Sequence, residues 1–171
     1  MVSLFGGSNA RGAPAPHPLA RRPPAAAGAM EGSFHAIEGI PHFLSSTAAS
    51  HLLGLAHAFD LVWASGWEEK ANEYLPYLLG LPRSLPFIPF SRRTTVNAGT
   101  PHAHWKLESI ADYVGRRALA WVDDAFNAAC HRWARARGAP TLLVSTAPEL
   151  GLTAQEAGTL LRWARQLAAR R

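Results

Sequence analysis

The 171-residue sequence is short of several things at once. It has a single cysteine, Cys130, which excludes an internal disulfide and fits a reducing, cytoplasmic setting. It has no apolar run near the roughly 18–20 residues that a bilayer-spanning helix needs, so no membrane association is expected. Its opening, MVSLFGGSNARGAPAPHPLARRPP, has no apolar stretch after its charges and does not read as a secretory leader. Aspartates are few, at four, yet two of them stand side by side as Asp123 and Asp124. Lysines are fewer still: Lys70 and Lys106, against fifteen arginines. In a chain that nearly always chooses arginine, the placing of a lysine carries information.

The net charge of +5 and pI of about 10.1 admit an anionic partner, from a phosphorylated metabolite to nucleic acid. A solvated basic surface is weighed ahead of a nucleic-acid stripe, because no zinc-finger spacing or RNP-type aromatic motif is present. Hydrophobic content of 48% is enough for one domain with its own core.

Residues 1–33 read as a flexible segment, since Pro14, Pro16, Pro18, Pro23 and Pro24 remove donors and block helix over 8–33. Order is expected over 34–171. SFHAIEGI suggests a strand or hairpin arm, and SSTAASHLLGLAHA a helix capped by Ser45 or Ser46. FDLVWAS (59–65) reads as a short apolar strand. Residues 68–80 read as helical, with Gly80 as a stop and Pro76 bending or ending the regular part. LPFIPF (85–90) is at best an edge strand, and 91–103 a loop. A short helix over 104–115 follows. Then come a strand at 118–124, a helix at 125–138, a strand at 140–146 and a closing helix at 153–171 capped by Thr153. Strand and helix alternate, which predicts an open, mostly parallel α/β sheet with helices on both faces.

In such sheets ligands collect beyond the carboxyl ends of the strands. There the sequence places Ser65 and Gly66 after one apolar strand, and Asp123 and Asp124 after another; Lys106 opens the helix between them. Adjacent carboxylates at the edge of a core repel each other and lose hydration, so a cation is the expected companion. A hydroxyl with a backbone N–H, an ammonium and two carboxylates suit a phosphoryl group with Mg2+, which prefers few carboxylates, several waters and phosphate oxygens. Each has a plainer alternative: an ordinary turn for Ser65-Gly66, a surface position for Lys106, and helix capping for the aspartates.

Taken in order, LVWASGWE (61–68), HWKL (104–107) and LAWVDD (119–124) resemble the second, third and fourth motifs of the haloacid dehalogenase-like superfamily. The resemblance spans about residues 34–165 and is closest to small bacterial members. It implies a Rossmann-like three-layer sandwich and a magnesium-dependent phosphohydrolase. By position, it implies that Ser65 and Gly66 bind phosphoryl oxygens, that Lys106 stabilises an acyl-phosphate, and that Asp123 with Asp124 holds Mg2+. The family's first motif, Asp-x-Asp-Gly with its nucleophile, is absent, for the sequence has no Asp-x-Asp anywhere. MVSLFGG is similar to the text that follows this motif in relatives. A start codon assigned too late is therefore expected, with true truncation as the alternative; the DNA upstream of the Met1 codon separates them.

The resemblance also implies that the missing strand is central. Its loss leaves two unpaired edges and a groove, and a poorly soluble or molten product is expected. The functional expectation is a phosphohydrolase-type domain for a small phosphorylated substrate, inactive as written. The alternative is a binding module for a phosphate ligand or nucleic acid. Other candidates are weaker. His102 and His104 lack a third metal ligand. Cys130 and His131 are consecutive in a helix and point apart. The six tryptophans suit core packing, with Trp67 and Trp105 flanking the proposed site.

Overall fold

A computed structural model describes residues 31–81, 84–90 and 103–170. The segment expected to be flexible thus lies outside the described residues as far as Met30, as does the 91–103 loop up to His102.

The first described element is a hairpin. β1 (Gly32–Ile37) pairs antiparallel with β2 (Ile40–Ser45), with Phe34 opposite Phe43 and His35 opposite His42. The two-residue turn is Glu38-Gly39, both at positive φ (52° and 77°), the mirror-image turn whose twist matches paired strands. Ser45 ends β2 and caps α1 (Ser46–Leu55), its extended backbone letting the hydroxyl accept the Ala48 N–H at 3.1 Å.

The segment 61–65 forms one bridge rather than a ladder. Trp63 pairs in parallel with Phe87, donating its N–H to Pro86 O at 2.8 Å and accepting from Ile88 N–H at 2.9 Å. Pro86 and Pro89 carry no N–H, which keeps this contact short. The expected strands at 59–65 and 85–90 therefore shrink to a single paired position each.

α2 (Ala71–Leu79) follows a 3-10 turn at Glu68–Lys70. Pro76, expected to bend or end the helix, sits within it, so the helix does not end there. The proline forfeits one intrahelical bond, while Leu75 and Leu79 bury the same face and hold the turn. Termination falls to Gly80 at φ 67°, with Gly80 N–H on Tyr77 O and Leu81 N–H on Pro76 O, the paired bonds of a Schellman cap.

α3 (Leu107–Val114) is preceded by a 3-10 turn at Ala103–Lys106. β3 (Leu119–Asp123) is buried along its whole length and pairs in parallel with β4 (Thr141–Ser145), from Leu119 opposite Thr141 to Asp123 opposite Ser145. Between them lies α4 (Ala128–Ala136), and α5 (Ala154–Ala168) closes the chain. Thr153 caps α5 in a reciprocal box. Its hydroxyl accepts the Gln155 N–H at 3.2 Å, and the Glu156 carboxylate takes the Thr153 N–H at 3.0 Å. Thr153→Ala should lower stability by about 0.5–2 kcal/mol in chemical denaturation, with the slope of the transition unchanged. A change in slope would mean that more than the cap is lost.

The described residues form a mixed α/β fold with helices and small sheets; the one continuous parallel sheet expected is not among them. Strand side chains nevertheless alternate between two cores. Leu61, Trp63, Ala120 and Val122 pack with Leu52, Leu75 and Leu160 of α1, α2 and α5. Val62, Ala64, Leu119 and Trp121 pack with Ile110 of α3 and Cys130 of α4.

Candidate functional site

The carboxyl end of β3 carries a buried ion pair. Lys106 Nζ lies 2.7 Å from Asp123 Oδ2, with only 8% and 3% of the two side chains exposed. Lys106 reaches it because the 3-10 turn before α3 drops the side chain inward while Trp105 turns to the rim. The ammonium also stands 5.6 Å over the Trp105 ring. The second carboxylate oxygen of Asp123 accepts the Ala125 N–H at 3.2 Å. Lys106 is therefore no surface lysine.

Neither aspartate caps the next helix. That role belongs to Asn127, whose Oδ1 accepts from Ala129 N–H at 3.0 Å and Cys130 N–H at 3.3 Å. Asp123 and Asp124 are thus free of the capping role that the sequence left open. Asp124 is half-buried, and its carboxyl is pushed above the usual range by burial, then by the Asp123 charge beside it. The two carboxylates thus crowd each other at the edge of the core. Among the described residues, no group of three or more His, Cys, Asp and Glu side chains is placed to hold a metal ion.

Ser65 is buried at the carboxyl end of the neighbouring extended segment. Its hydroxyl accepts the Trp67 N–H at 3.2 Å, which leaves the hydroxyl proton for another acceptor, and its carbonyl accepts the Glu68 N–H at 3.0 Å. Gly66 is exposed on the rim, and a Cβ there would lie 3.9 Å from the Trp105 ring. That contact brings the Ser65 turn against the Lys106 turn, although 39 positions separate Gly66 from Trp105 (105 − 66 = 39). Gly66 thus lies beside Trp105, the residue before Lys106, and Lys106 is paired with Asp123, which has Asp124 next to it.

Both flanking tryptophans are half-buried. Trp105 rests on Phe90 at 4.7 Å between ring centres, and Trp67 meets His42 edge-to-face at 5.0 Å. His42 was not singled out from sequence. It arrives on the hairpin, whose turn is tied down by an ion pair between Glu38 and Lys70. No local pattern links a hairpin histidine to a tryptophan 25 positions later (67 − 42 = 25).

The remaining candidates fare differently. Cys130 is fully buried, with its thiol pushed up by burial, while His131 is exposed. The His102–His104 pair lies outside the residues whose side chains are described. No known protein family, curated protein or solved structure matches this chain.

Proposed function

We propose that the chain is a haloacid dehalogenase-like domain, a three-layer Rossmann-like sandwich whose carboxyl-end rim binds a phosphoryl group together with Mg2+. The observation that carries this reading is the buried Lys106–Asp123 pair, 2.7 Å apart, with Asp124 beside it and the Ser65 turn alongside. Ser65 and the Gly66 backbone hold phosphoryl oxygens, and Lys106 neutralises their charge. Asp123 and Asp124 hold the metal, which when bound adds further charge neutralisation. The alternation of strand side chains between two cores supports the layered sandwich.

No Asp-x-Asp occurs in the sequence, so the carboxylate that attacks phosphorus in such enzymes has no counterpart. The expected activity of this chain is binding of a small phosphorylated ligand without turnover. Titration with inorganic phosphate, followed by the emission of Trp67 and Trp105, tests it. A saturable change that requires Mg2+ is expected, and Ser65→Ala should weaken it about three- to tenfold, the worth of one hydrogen bond. A response indifferent to both Mg2+ and Ser65 would refute the site. Release of phosphate from an aryl phosphate would refute the absence of turnover. Salt-sensitive binding to RNA or DNA, with no response to phosphate, would favour the nucleic-acid alternative.

A further inference from the structure

The Ser65 turn has an aromatic wall, and a strained residue helps to build it. Glu68, three positions after Ser65, has φ 50°, a left-handed backbone that residues other than glycine seldom adopt. Such a conformation persists where its surroundings hold it. Here the Glu68 N–H bonds Ser65 O at 3.0 Å, and the Glu68 carboxylate accepts the Phe90 N–H at 3.1 Å. Phe90 is buried, and its ring supports Trp105. Trp105 in turn lies against Gly66 and has the Lys106 ammonium 5.6 Å from its ring centre. A closed circuit of contacts therefore runs from the Ser65 turn through Glu68, Phe90 and Trp105 back to Gly66. Trp67 is fixed separately, by His42 at 5.0 Å and Tyr74 at 6.4 Å between ring centres. The two indoles sit over different cores, Trp67 over the first and Trp105 over the second.

We propose that Trp105, together with Trp67, selects a phosphate monoester whose alcohol part is a planar aromatic ring. The inference rests on the phosphate reading of Ser65 and Lys106 and adds the class of ligand to it. A group esterified to a phosphoryl held at Lys106 falls beside Trp105, because that ammonium is already within cation–π range of the indole. Both indoles are half-buried, so each keeps an open part of its ring. Rings anchored in this way lose little conformational freedom when another ring packs on them. A flat aromatic ring meets an indole in an offset or edge-to-face contact that rewards its quadrupole, and a saturated ring of the same size cannot. Inorganic phosphate has no such part and leaves both indoles facing water. Glu68 acts through Phe90 and is a positioning residue, holding the ring that supports Trp105.

Isothermal titration calorimetry of the full chain in Mg2+, with inorganic phosphate, phenyl phosphate and cyclohexyl phosphate, tests it. The two esters carry the same charge and similar bulk, so their ratio isolates the planar ring. Phenyl phosphate is expected to bind about three- to tenfold tighter than cyclohexyl phosphate. Trp105→Leu should bring that ratio close to one, and Trp105→Phe should keep most of it. Glu68→Ala should lower the ratio as well, whereas a merely structural role would weaken all three ligands alike. Equal binding of the two esters by the unaltered protein would overturn the inference, and this result needs no variant to fold. Saturable binding of inorganic phosphate in the same titrations would then leave the phosphate reading standing. No binding of any of the three ligands would overturn both. A ratio unchanged in Trp105→Leu would overturn the role of that indole.

Discussion

Lys106→Ala should destabilise the protein by about 3–5 kcal/mol, because it leaves the Asp123 carboxylate buried without its partner. For a domain of this size that is a fall in melting temperature on the order of 10–15 °C. It would consume much of the 5–15 kcal/mol that holds a typical domain together. Asp123 is 4% exposed, and its other carboxylate oxygen accepts the Ala125 N–H, so removing the ammonium strands a buried acid. The double variant Lys106→Met with Asp123→Leu should recover most of the loss, since no charge is then buried. Thermal unfolding followed by circular dichroism reads both. If the double variant is no better than the single one, the cost does not come from the stranded carboxylate. The same double variant should lose the Mg2+-dependent phosphate response entirely, which separates the pair's structural worth from its role at the rim.

The second large effect is expected at Asn72. Its Oδ1 accepts both the Trp63 Nε1–H at 2.9 Å and the Leu85 N–H at 3.0 Å, and its Nδ2 donates to Leu85 O at 2.8 Å. One side chain on α2 thus ties the single paired residue of the 61–65 segment to the start of its neighbour. Asn72→Ala leaves the indole N–H of Trp63, a residue 1% exposed, with no acceptor in a sealed core. A loss of about 2–4 kcal/mol is expected from the orphaned donors and the backbone carbonyl together. Pairing Asn72→Ala with Trp63→Phe should give less than the sum of the two separate losses, because the second change removes one of the orphans. Strict additivity in urea unfolding would show that the two groups do not act through their bond. Because Trp63 supports the turn that presents Ser65, Asn72→Ala should also weaken phosphate binding without touching the rim.

Much of this was legible where the physics is local. Ser45 and Thr153 announce their helices because a cap is a contact over three residues, and Glu156 completes the box in the same turn. The apolar runs at 118–124 and 140–146 read as strands, and β3 and β4 lie within those bounds, because a short run with so little polarity suits a covered strand. Gly80 stops its helix because glycine takes the left-handed conformation without strain. Where the reading slipped, a longer-range term had won. Pro76 was expected to end or bend α2, and the helix does not end there, because Leu75 and Leu79 are anchored in the core on the same face. Asn127 was hidden inside an expected helix over 125–138; the helix starts three residues later because Asp123 binds Ala125 N–H and holds the chain in a turn. Asn72 carried no signal, since its three bonds reach across 9 and 13 positions.

Residue types and their order determined by themselves which polar side chains stand at the edges of the apolar runs: a hydroxyl, a scarce lysine and a pair of adjacent acids. Proximity along the chain settles helix starts, turns and burial of short strands, because those energies act within a few residues. Only the tertiary structure decided that Lys106 faces Asp123, that Gly66 meets Trp105 and that Asn72 clamps Trp63. Such contacts join residues whose approach depends on how whole helices pack, and packing is settled by the summed burial of two cores rather than by any local preference.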